Sequence, residues 1–433
     1  MNLHNLKLFE SLKYRNFKLY FLGQCVSMVG SWIQQIAMGW LVYRLTGSVA
    51  LLGIIVFLSQ FPTFIITPFV STLIDKISKK SILIFTQTFF MLHALVLTIL
   101  VLTSILNSSN VWIVLVLSLL FGIVNALDGP TRQAFYTSLV PKEILTNAIA
   151  LNSAVINGSR LIGPAIGGVV IGLFGEGICF LIDTISFLFV IIALLKIKLP
   201  KVETLTMKIH LINDIKEGLN YIFQRLPIMV LLIITFSVSF FIFPITSFLP
   251  AYVKDTLGGG SEMLGSLMSF LGIGSFSGAL ILASRKSIIG LEKIQQIGLL
   301  GASLSLIPFF FITNSVLAHI LIIIIGFSMV IAIASTNTMI QALTHTYMKG
   351  RVMGYYTICF IGGSSLGNLV VGWVSKFYDL QIIIAFSGAL CLLSVLIFYP
   401  YRKEISIQQN KIYSEHGIIP EIVEGISKSD IKP

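Results

Sequence analysis

Charged side chains are scarce in this chain: Asp, Glu, Lys and Arg make up 11% of its 433 residues, against 56% for apolar residues. A water-soluble domain carries about 25% charged residues, so the composition excludes an ordinary soluble globular protein. Polar stretches are also too short to form a separate soluble domain with an active site. The composition therefore predicts an all-α polytopic membrane protein.

Residues that carry chemistry are equally few. The four cysteines, Cys25, Cys179, Cys359 and Cys391, all fall in apolar runs. Their spacing fits neither a metal site nor paired loop cysteines, so we expect free, buried thiols and no cofactor or metal. Clustered carboxylates, nucleophile and base pairs, and phosphate-binding loops are also missing. An enzyme is therefore not expected, and a polytopic lipid-modifying enzyme stays as an alternative.

Long apolar runs, by contrast, are abundant. A run of about 20 residues crosses a hydrocarbon core about 30 Å thick. Twelve such runs, here called spans 1 to 12, lie near residues 17–43, 49–70, 81–106, 111–138, 146–173, 178–195, 227–250, 263–283, 294–313, 315–342, 352–375 and 380–401. We therefore predict twelve transmembrane helices.

The polar stretches between and after these runs predict the domain organisation. The expected parts are an N-terminal six-helix bundle, a cytoplasmic linker, a C-terminal six-helix bundle and a polar cytoplasmic tail, in residues 1–195, 196–226, 227–401 and 402–433. Within the linker, Leu211–Leu226 has apolar residues at helical spacing with charges between them. This pattern predicts an interfacial amphipathic helix.

The 29 Lys and Arg residues are distributed unevenly over the loops. Almost all fall on one side if the N-terminus is cytoplasmic, whereas Arg44, Lys254 and Lys376 fall on the other side. Because basic loops stay in the cytoplasm, both termini are expected there. Topology and attraction to anionic lipid headgroups then account for the net charge of +11, so no nucleic-acid partner is expected.

The two halves of the chain repeat weakly. Ser48–Gly53 (SVALLG) is similar to Ser261–Gly265 (SEMLG), and each segment opens the second span of its half. Leu161–Gly168 (LIGPAIGG) is similar to Ser365–Gly372 (SLGNLVVG), and each lies in the fifth span. Some transporters are built from two parallel six-helix repeats, so this architecture is expected here.

Span 5 contains the segment GPAIGG, with Gly163, Pro164, Gly167 and Gly168. Proline removes a helix hydrogen bond and glycines expose the backbone to neighbouring helices. A helix breaker flanked by glycines inside an apolar run therefore predicts a helix that bends or slides against its neighbours.

This segment and the loop after span 2, Ser71–Lys80 (STLIDKISKK), carry a resemblance. The chain resembles the major facilitator superfamily, in the branch of bacterial exporters for enterobactin, macrolides and multiple drugs. The resemblance implies two six-helix bundles that act as a monomer in the bacterial cytoplasmic membrane. GPAIGG is similar to an antiporter motif of that superfamily, which implies export coupled to protons or Na⁺.

Asp75, Lys76, Lys79 and Lys80 match charged positions of the superfamily's first cytoplasmic loop motif. The resemblance implies a gating loop that bridges the two halves in the outward-facing state. Asp75 can accept hydrogen bonds from a helix N-terminus, while the lysines can meet a carboxylate or lipid. The alternative is that the lysines only determine topology.

Four charges are expected inside the membrane, where each costs at least about 2.5 kcal/mol to insert. Asp128 and Arg132 are four residues apart in span 4 and share a helix face, so an ion pair between them is geometrically available. One hypothesis makes Asp128 the protonation site. The alternative is that Asp128 pairs with Lys76, Lys79 or Arg132 as part of the gating contact at the cytoplasmic end of span 4. Arg160 in span 5 is expected either to attract an anionic substrate or to pair with Asp128 or with Asp183 of span 6.

A substrate cavity is expected along span 1, where amides can hydrogen-bond and indoles offer flat apolar contact to an amphipathic ligand. Its candidate residues are Gln24, Trp32, Gln34, Gln35 and Trp40. For each of them the alternative is a contact between helices or an anchor at the membrane surface. The lone histidines His93 and His319 are expected to be packed, outside the site.

The sequence therefore predicts a secondary active transporter, specifically a proton-coupled exporter of small amphipathic or siderophore-like molecules. Its partners would be a small-molecule substrate, protons or Na⁺, and membrane lipid. An importer or facilitator of a small metabolite or lysolipid on the same fold is the alternative.

Overall fold

The computed structural model describes residues 7–74, 77–198, 211–285, 287–398 and 407–409. The regular structure in these residues is helical throughout. The helices of the first half are α1 (Arg15–Thr46), α2 (Val49–Ile74), α3 (Lys79–Leu102), α4 (Trp112–Tyr136), α5 (Leu145–Phe174) and α6 (Glu176–Lys196). Short 3₁₀ turns, Lys7–Lys13, Thr137–Leu139 and Lys142–Ile144, precede α1 and join α4 to α5.

A linker helix, α7 (Leu211–Phe223), leads into the second half. The helices of that half are α8 (Leu226–Phe241), α9 (Ile245–Ala251), α10 (Ser261–Ala283), α11 (Leu291–Phe309), α12 (Ser315–Leu343), α13 (Lys349–Thr357), α14 (Gly363–Val374) and α15 (Leu380–Phe398). Two π turns interrupt this half. Tyr252–Thr256 follows α9, and Ile358–Gly362 joins α13 to α14.

Ten stretches of the described residues are long and apolar enough to cross a membrane. They are α1 to α6, α10, α12 and two interrupted crossings, Leu226–Thr256 and Thr346–Val374. The remaining two predicted spans, 9 and 12, correspond to α11 and α15. The predicted fold class, an all-α polytopic membrane protein with two six-helix bundles, is confirmed.

Spans 7 and 11 differ from the continuous helices that their hydropathy predicts. In span 7, α8 ends at Phe241, and α9 starts only after Pro244. Proline has no amide hydrogen to donate to the preceding turn, so the break falls where the helix would lose a hydrogen bond. In span 11, the π turn ends at Gly362 beside a second glycine, Gly363.

The two halves pack together at the end of the molecule where α1 ends and α2 begins. One buried apolar cluster there contains Leu41 and Tyr43 of α1 together with Phe248, Tyr252 and Leu264 of the second half. The Tyr43 hydroxyl also donates a hydrogen bond to the Asp255 carboxylate across the halves. We call this region the joined end.

At the opposite end, where α1 begins and α4 ends, the buried clusters of the described residues each belong to one half. Phe17, Leu83 and Phe135 lie in a cluster of the first half. Met339 and Tyr356 lie in a cluster of the second half. We call this region the open end, because its clusters do not join the halves.

Two helix crossings between the halves are made of facing glycines. α5 meets α10 where an ideal Cβ on Gly168 would lie 2.7 Å from Ser261 O and 2.8 Å from Gly265 Cα. α2 meets α14 where a Cβ on Gly53 would lie 3.0 Å from Gly372 Cα. Backbones approach this closely only without side chains. These glycines end the repeated segments, so the second-span segment of each half meets the fifth-span segment of the other half.

The linker helix α7 forms within the predicted amphipathic segment and docks on the second half. Tyr221 and Ile222 are buried in the cluster of that half. Glu217 forms an ion pair with Arg351 of α13 at 2.8 Å. Phe223, in contrast, is 65% exposed. One face of the helix is therefore attached to the second half, and the exposed face remains available to lipid.

Candidate functional site

A cavity of about 480 Å³ lies between the two halves. It borders the joined end, since Ile36, Leu52 and Leu264 belong both to its wall and to the cluster that joins the halves. All six helices of the first half contribute to the wall, together with α9, α10, α12 and α14 of the second half. A cavity of about 300–1,000 Å³ accommodates a small organic molecule.

Charge is confined to one side of this cavity. Among the described residues of the wall, the two charged side chains are Arg160 of α5 and Asp183 of α6, both from the first half. The second half contributes apolar side chains and small polar ones, such as Met268, Leu271 and Asn368. A ligand in the cavity would therefore meet its charged partners on the first half and an uncharged wall on the second.

Arg160 enters the cavity as a cation without a carboxylate partner among the described residues. Its Cζ lies 5.4 Å from the centroid of the Trp32 ring, in a cation–π contact. Its Nε is buried and has no hydrogen-bond partner there. The ion pairs of the described residues do not include it, so the pairing with Asp128 or Asp183 left open by the sequence does not form.

Asp183 is 1% exposed and lies beside α1. Its Oδ1 accepts hydrogen bonds from Ser186 Oγ at 3.1 Å and from Ser31 Oγ at 3.4 Å. A hydroxyl can donate to a carboxylate or accept from a carboxylic acid. Both protonation states of Asp183 therefore have hydrogen-bond partners.

Helix α1 separates these two charges because it lies between α5 and α6. On one side, an ideal Cβ on Gly163 would lie 2.5 Å from Trp32 Cβ. On the other side, a Cβ on Gly30 would lie 2.8 Å from Asp183 Oδ1. Successive residues turn by about 100° around a helix, so Ser31 and Trp32 point to different sides of α1. Arg160 and Asp183 therefore flank the face of α1 that lines the cavity.

Asp128 lies outside this cavity wall and is fully compensated. It is 0% exposed and forms an ion pair with Arg132, the contact that the four-residue spacing makes available. Its Oδ1 also accepts hydrogen bonds from Thr86 Oγ1 at 2.7 Å and from Gln87 Nε2 at 2.8 Å. The buried carboxylate thus has a cation and two neutral hydrogen-bond donors as partners, all within the first half.

A family model described as transmembrane secretion effector matches residues 8–428, nearly the whole chain. The chain belongs to this family. The family is part of the major facilitator superfamily, so the resemblance carried by GPAIGG and the loop motif is confirmed. This secretion effector is therefore a transporter of small molecules in a bacterial membrane and not an enzyme.

Curated relatives of this secretion effector are transporters as well. It is similar to the staphyloferrin A transporter of Staphylococcus aureus, with 25% identity over 93% of this chain and 99% of the relative. It is also similar to macrolide efflux protein A of Streptococcus pyogenes, with 25% identity over 57% of this chain and 62% of the relative.

Solved structures with the same fold include two described as inward-facing. A bacterial homologue of the iron transporter ferroportin matches with a TM-score of 0.69 and 16% identity, over 89% of this chain and 98% of that one. A bacterial homologue of the lysosomal transporter Spinster matches with a TM-score of 0.67 and 13% identity, over 93% and 97%. At these identities the likeness shows the fold alone.

The predicted cavity residues of the secretion effector divide into two groups. Trp32, Gln34 and Gln35 line the cavity. Gln24 and Trp40 are not among its described lining residues. Gln24 Nε2 donates to the Tyr20 hydroxyl at 3.3 Å, and Trp40 packs against the cluster of the joined end. Trp40 thus follows the alternative of a contact between helices, whereas the hydrogen bond of Gln24 lies within α1.

His93 lines the cavity, although the sequence places it outside the site. Its ring packs against Phe121, with centroids 5.4 Å apart, and both residues face the cavity. Gln60, Asn125 and Asn368 are further lining residues without a prediction. Each is a polar residue inside an apolar span, and this feature of the sequence could have indicated that it lines the cavity. His319 is packed as expected, against Phe270 and the Ser266 hydroxyl.

The GPAIGG segment packs in two directions. Gly163 and Gly167 face Trp32 and Ile36 of α1 in the same half, whereas Gly168 faces α10 of the other half. α5 runs as one helix through Pro164. This segment therefore makes close helix contacts both within the first half, with α1, and between the halves, with α10.

The predicted gating loop is described only in part, since Asp75 and Lys76 lie outside the described residues. Lys79 and Lys80 begin α3. Lys80 Nζ donates to Ile197 O at 2.7 Å and to Leu195 O at 3.4 Å. A cation at these carbonyls stabilises the C-terminal end of α6. The described contacts of Lys80 thus stay in the first half.

The described residues include four free cysteines and no disulfide among them. Cys179 and Cys391 are buried, and Cys25 and Cys359 are half-buried. No group of three or more His, Cys, Asp or Glu residues in the described ranges is arranged to hold a metal ion.

Proposed function

We propose that this secretion effector exports small amphipathic molecules by alternating access, driven by protons that enter in exchange. The observation that carries the proposal is the cavity between the halves, closed on one side by the joined end and flanked on the other by clusters that do not join. Rocking one half against the other would close the open end and release the ligand on the far side.

The direction of transport follows from the orientation that we propose. With basic loops and both termini in the cytoplasm, the open end is cytoplasmic and loads substrate from inside the cell. The description of the family as secretion effectors and the name of the macrolide efflux relative support export. The protein would act as a monomer, because the cavity is complete within one chain.

Asp183 is the better candidate for the proton site. It lines the cavity, lacks a cation among the described residues, and has hydroxyl partners that suit both protonation states. Asp128 is held by Arg132, Thr86 and Gln87, outside the cavity wall. We therefore assign the coupling role to Asp183 and a structural role at the open end to Asp128 and Arg132.

The loop with Asp75, Lys76, Lys79 and Lys80 is proposed to close the open end during the cycle. The contact of Lys80 with the end of α6 supports part of this role, because it fixes the start of α3 to its own half. When the halves approach each other, the remaining charges of the loop could then meet the second half as one unit.

The test is efflux of the fluorescent amphipath Hoechst 33342 from proteoliposomes that contain the purified protein, with and without an imposed pH gradient. We expect gradient-driven efflux in the native protein, its loss in Asp183→Asn, and its retention in an Asp128→Asn variant that remains folded. Unfolding temperatures control for folding in both variants.

Each alternative predicts a different result. Loss of the gradient dependence in Asp128→Asn, with retention in Asp183→Asn, would move the coupling site to Asp128. Efflux that ignores the pH gradient in the native protein would contradict proton coupling and favour a facilitator. Dependence on a Na⁺ gradient instead would assign the coupling ion to sodium.

A further inference from the structure

The cavity presents two opposite charges that the protein does not neutralise against each other. Arg160 and Asp183 both line it, yet α1 lies between them, and neither is ion-paired among the described residues. Uncompensated charges inside a membrane protein are expensive and mark a functional site. A ligand that brings one charge of each sign would compensate both.

The side of the cavity near Asp183 is built to accept hydrogen bonds. Gln34 is four residues after Gly30 on α1, so it lies on the same face of the helix as the contact with Asp183. Gln34 Oε1 is buried without a hydrogen-bond partner among the described residues. An ammonium group has three N–H donors and no acceptor. Asp183 and Gln34 together thus suit an ammonium group.

The side near Arg160 suits an anion. The guanidinium has five N–H donors in a planar arrangement that matches a carboxylate, and its buried Nε is unpartnered among the described residues. Trp32 lies against the guanidinium and orients it. The opposite wall, with Phe243, Met268 and Leu271 of the second half, is apolar and would contact the uncharged part of a ligand.

We propose that the substrate is an amphipathic zwitterion, an amino carboxylate with an apolar body. Its carboxylate binds Arg160 beside Trp32, its ammonium group binds Asp183 and Gln34 Oε1, and its apolar body lies against the second half. This inference rests on the proposed function and names the substrate class of the same cavity.

The zwitterion also accounts for exchange with protons. A proton and an ammonium group compete for the Asp183 carboxylate, so substrate loading expels the proton and proton binding expels the substrate. The titratable and charged side chains that line the cavity from the described helices are Asp183, Arg160 and His93. A purely anionic ligand would lack this competition, because a protonated Asp183 would bind it more readily than the carboxylate form.

Three fluorescent probes with one apolar body test the proposal. Nε-dansyl-lysine carries the ammonium and the carboxylate, dansylcadaverine lacks only the carboxylate, and 6-(dansylamino)hexanoate lacks only the ammonium group. Binding to the purified protein is measured from dansyl fluorescence, with protein-free micelles as the blank. We expect Nε-dansyl-lysine to bind at least about tenfold more tightly than either matched probe, since each charged contact contributes at least about that factor.

Variants assign each charge of the probe to a residue. Arg160→Gln should lower the affinity for Nε-dansyl-lysine to the affinity that the native protein has for dansylcadaverine, and it should leave the affinity for dansylcadaverine unchanged. Asp183→Asn should lower the affinity for Nε-dansyl-lysine to the affinity that the native protein has for 6-(dansylamino)hexanoate. Arg160→Lys and Asp183→Glu should restore part of the lost affinity, which a merely structural role would not predict. The ranking of the probes on the native protein remains decisive if a variant fails to fold.

Equal affinities for the three probes would overturn the proposal, as would tightest binding of either the cationic or the anionic probe. Equal losses for all three probes in Arg160→Gln would also contradict it. The outcome is separable from that of the transport test. If efflux is proton-driven but the ranking fails, only the zwitterion is wrong. If the ranking of the probes holds but efflux is not proton-driven, the proposed zwitterion site is correct and the proposed coupling to protons is wrong.

Discussion

The joined end and the open end of this transporter are held together by different kinds of contact. At the joined end, backbone lies against backbone where Gly168 meets Gly265, and a buried apolar cluster runs through both halves. At the open end, the described ion pairs, Asp128 with Arg132 and Glu217 with Arg351, remain inside one half. Close packing between the halves thus closes one end of the cavity, whereas the apolar clusters and ion pairs of the other end lie within single halves.

This difference predicts how the two ends respond to the same change. A methyl group added at the joined end meets backbone that cannot rotate away. A methyl group or a lost charge at the open end meets solvent or a flexible side chain. The following substitutions test this comparison, from the largest expected effect to the smallest.

Gly168→Ala should have the largest effect. Its Cβ would lie 2.7 Å from Ser261 O and 2.8 Å from Gly265 Cα, so α5 and α10 must move apart. We expect the joined arrangement to lose about 3 kcal/mol and transport to fall at least about tenfold. The matched control is Gly158→Ala on the same helix, where the added Cβ has nothing within 4 Å. Equal transport rates in the two variants would contradict the role of the glycine crossing.

Gly372→Ala should have a smaller effect of the same kind. Its Cβ would lie 3.1 Å from Ala50 O and 3.1 Å from Gly53 Cα, a tight contact that a small shift relieves. We expect a cost of about 1–2 kcal/mol, seen as a lower unfolding temperature and slower efflux. Gly354→Ala at the open end is the control, since nothing lies within 4 Å of its added Cβ. If the control is as damaging as Gly372→Ala, the two ends do not differ in packing.

Tyr43→Phe should weaken the joined end by about 1 kcal/mol, because it removes a hydrogen bond to a carboxylate that is itself exposed to solvent. We expect a changed rate of efflux with little change in unfolding temperature. Tyr252→Phe removes a hydroxyl that donates to Ile312 O within the second half, at 2.6 Å. That control should lower the unfolding temperature and leave the rate of opening unchanged, and the reverse pattern would refute the assignment.

Glu217→Gln should have the smallest effect. Its ion pair with Arg351 joins side chains that are 58% and 31% exposed, and such surface pairs contribute about 0–1 kcal/mol. We expect efflux and unfolding temperature within error of the native protein. A large loss of transport would show that the attachment of α7 to α13 controls the movement of the second half.

Much of the fold is readable from the sequence, because a membrane span must be apolar over a fixed length. The ends of α1, α5 and α10 fall within a few residues of the predicted runs. The breaks in spans 7 and 11 are not readable in this way, since hydropathy stays high across them. Pro244 and the pair Gly362 and Gly363 are the residues at which these breaks fall.

The cavity is less predictable than the helices, because lipid and protein interior are both apolar and hydropathy does not distinguish the faces of a span. Gln24 and Trp32 look alike as candidates, yet only Trp32 reaches the cavity. Charged residues are more informative, because the free-energy cost of placing a charge in lipid restricts a charged side chain to the protein interior or a water-filled cavity. Arg160 and Asp183 were therefore predictable as functional residues, whereas their separation by α1 required the packing of Gly30 and Gly163.

The paired glycines of the two repeats also constrain how this chain can evolve. Gly53 contacts Gly372, and Gly168 contacts Gly265. A side chain added at any of these positions therefore requires the facing helix of the other half to move away. Such positions should vary in a correlated way among related transporters. A chimera that takes residues 1–195 from one transporter and the remainder from another should fold only when both glycine pairs are preserved.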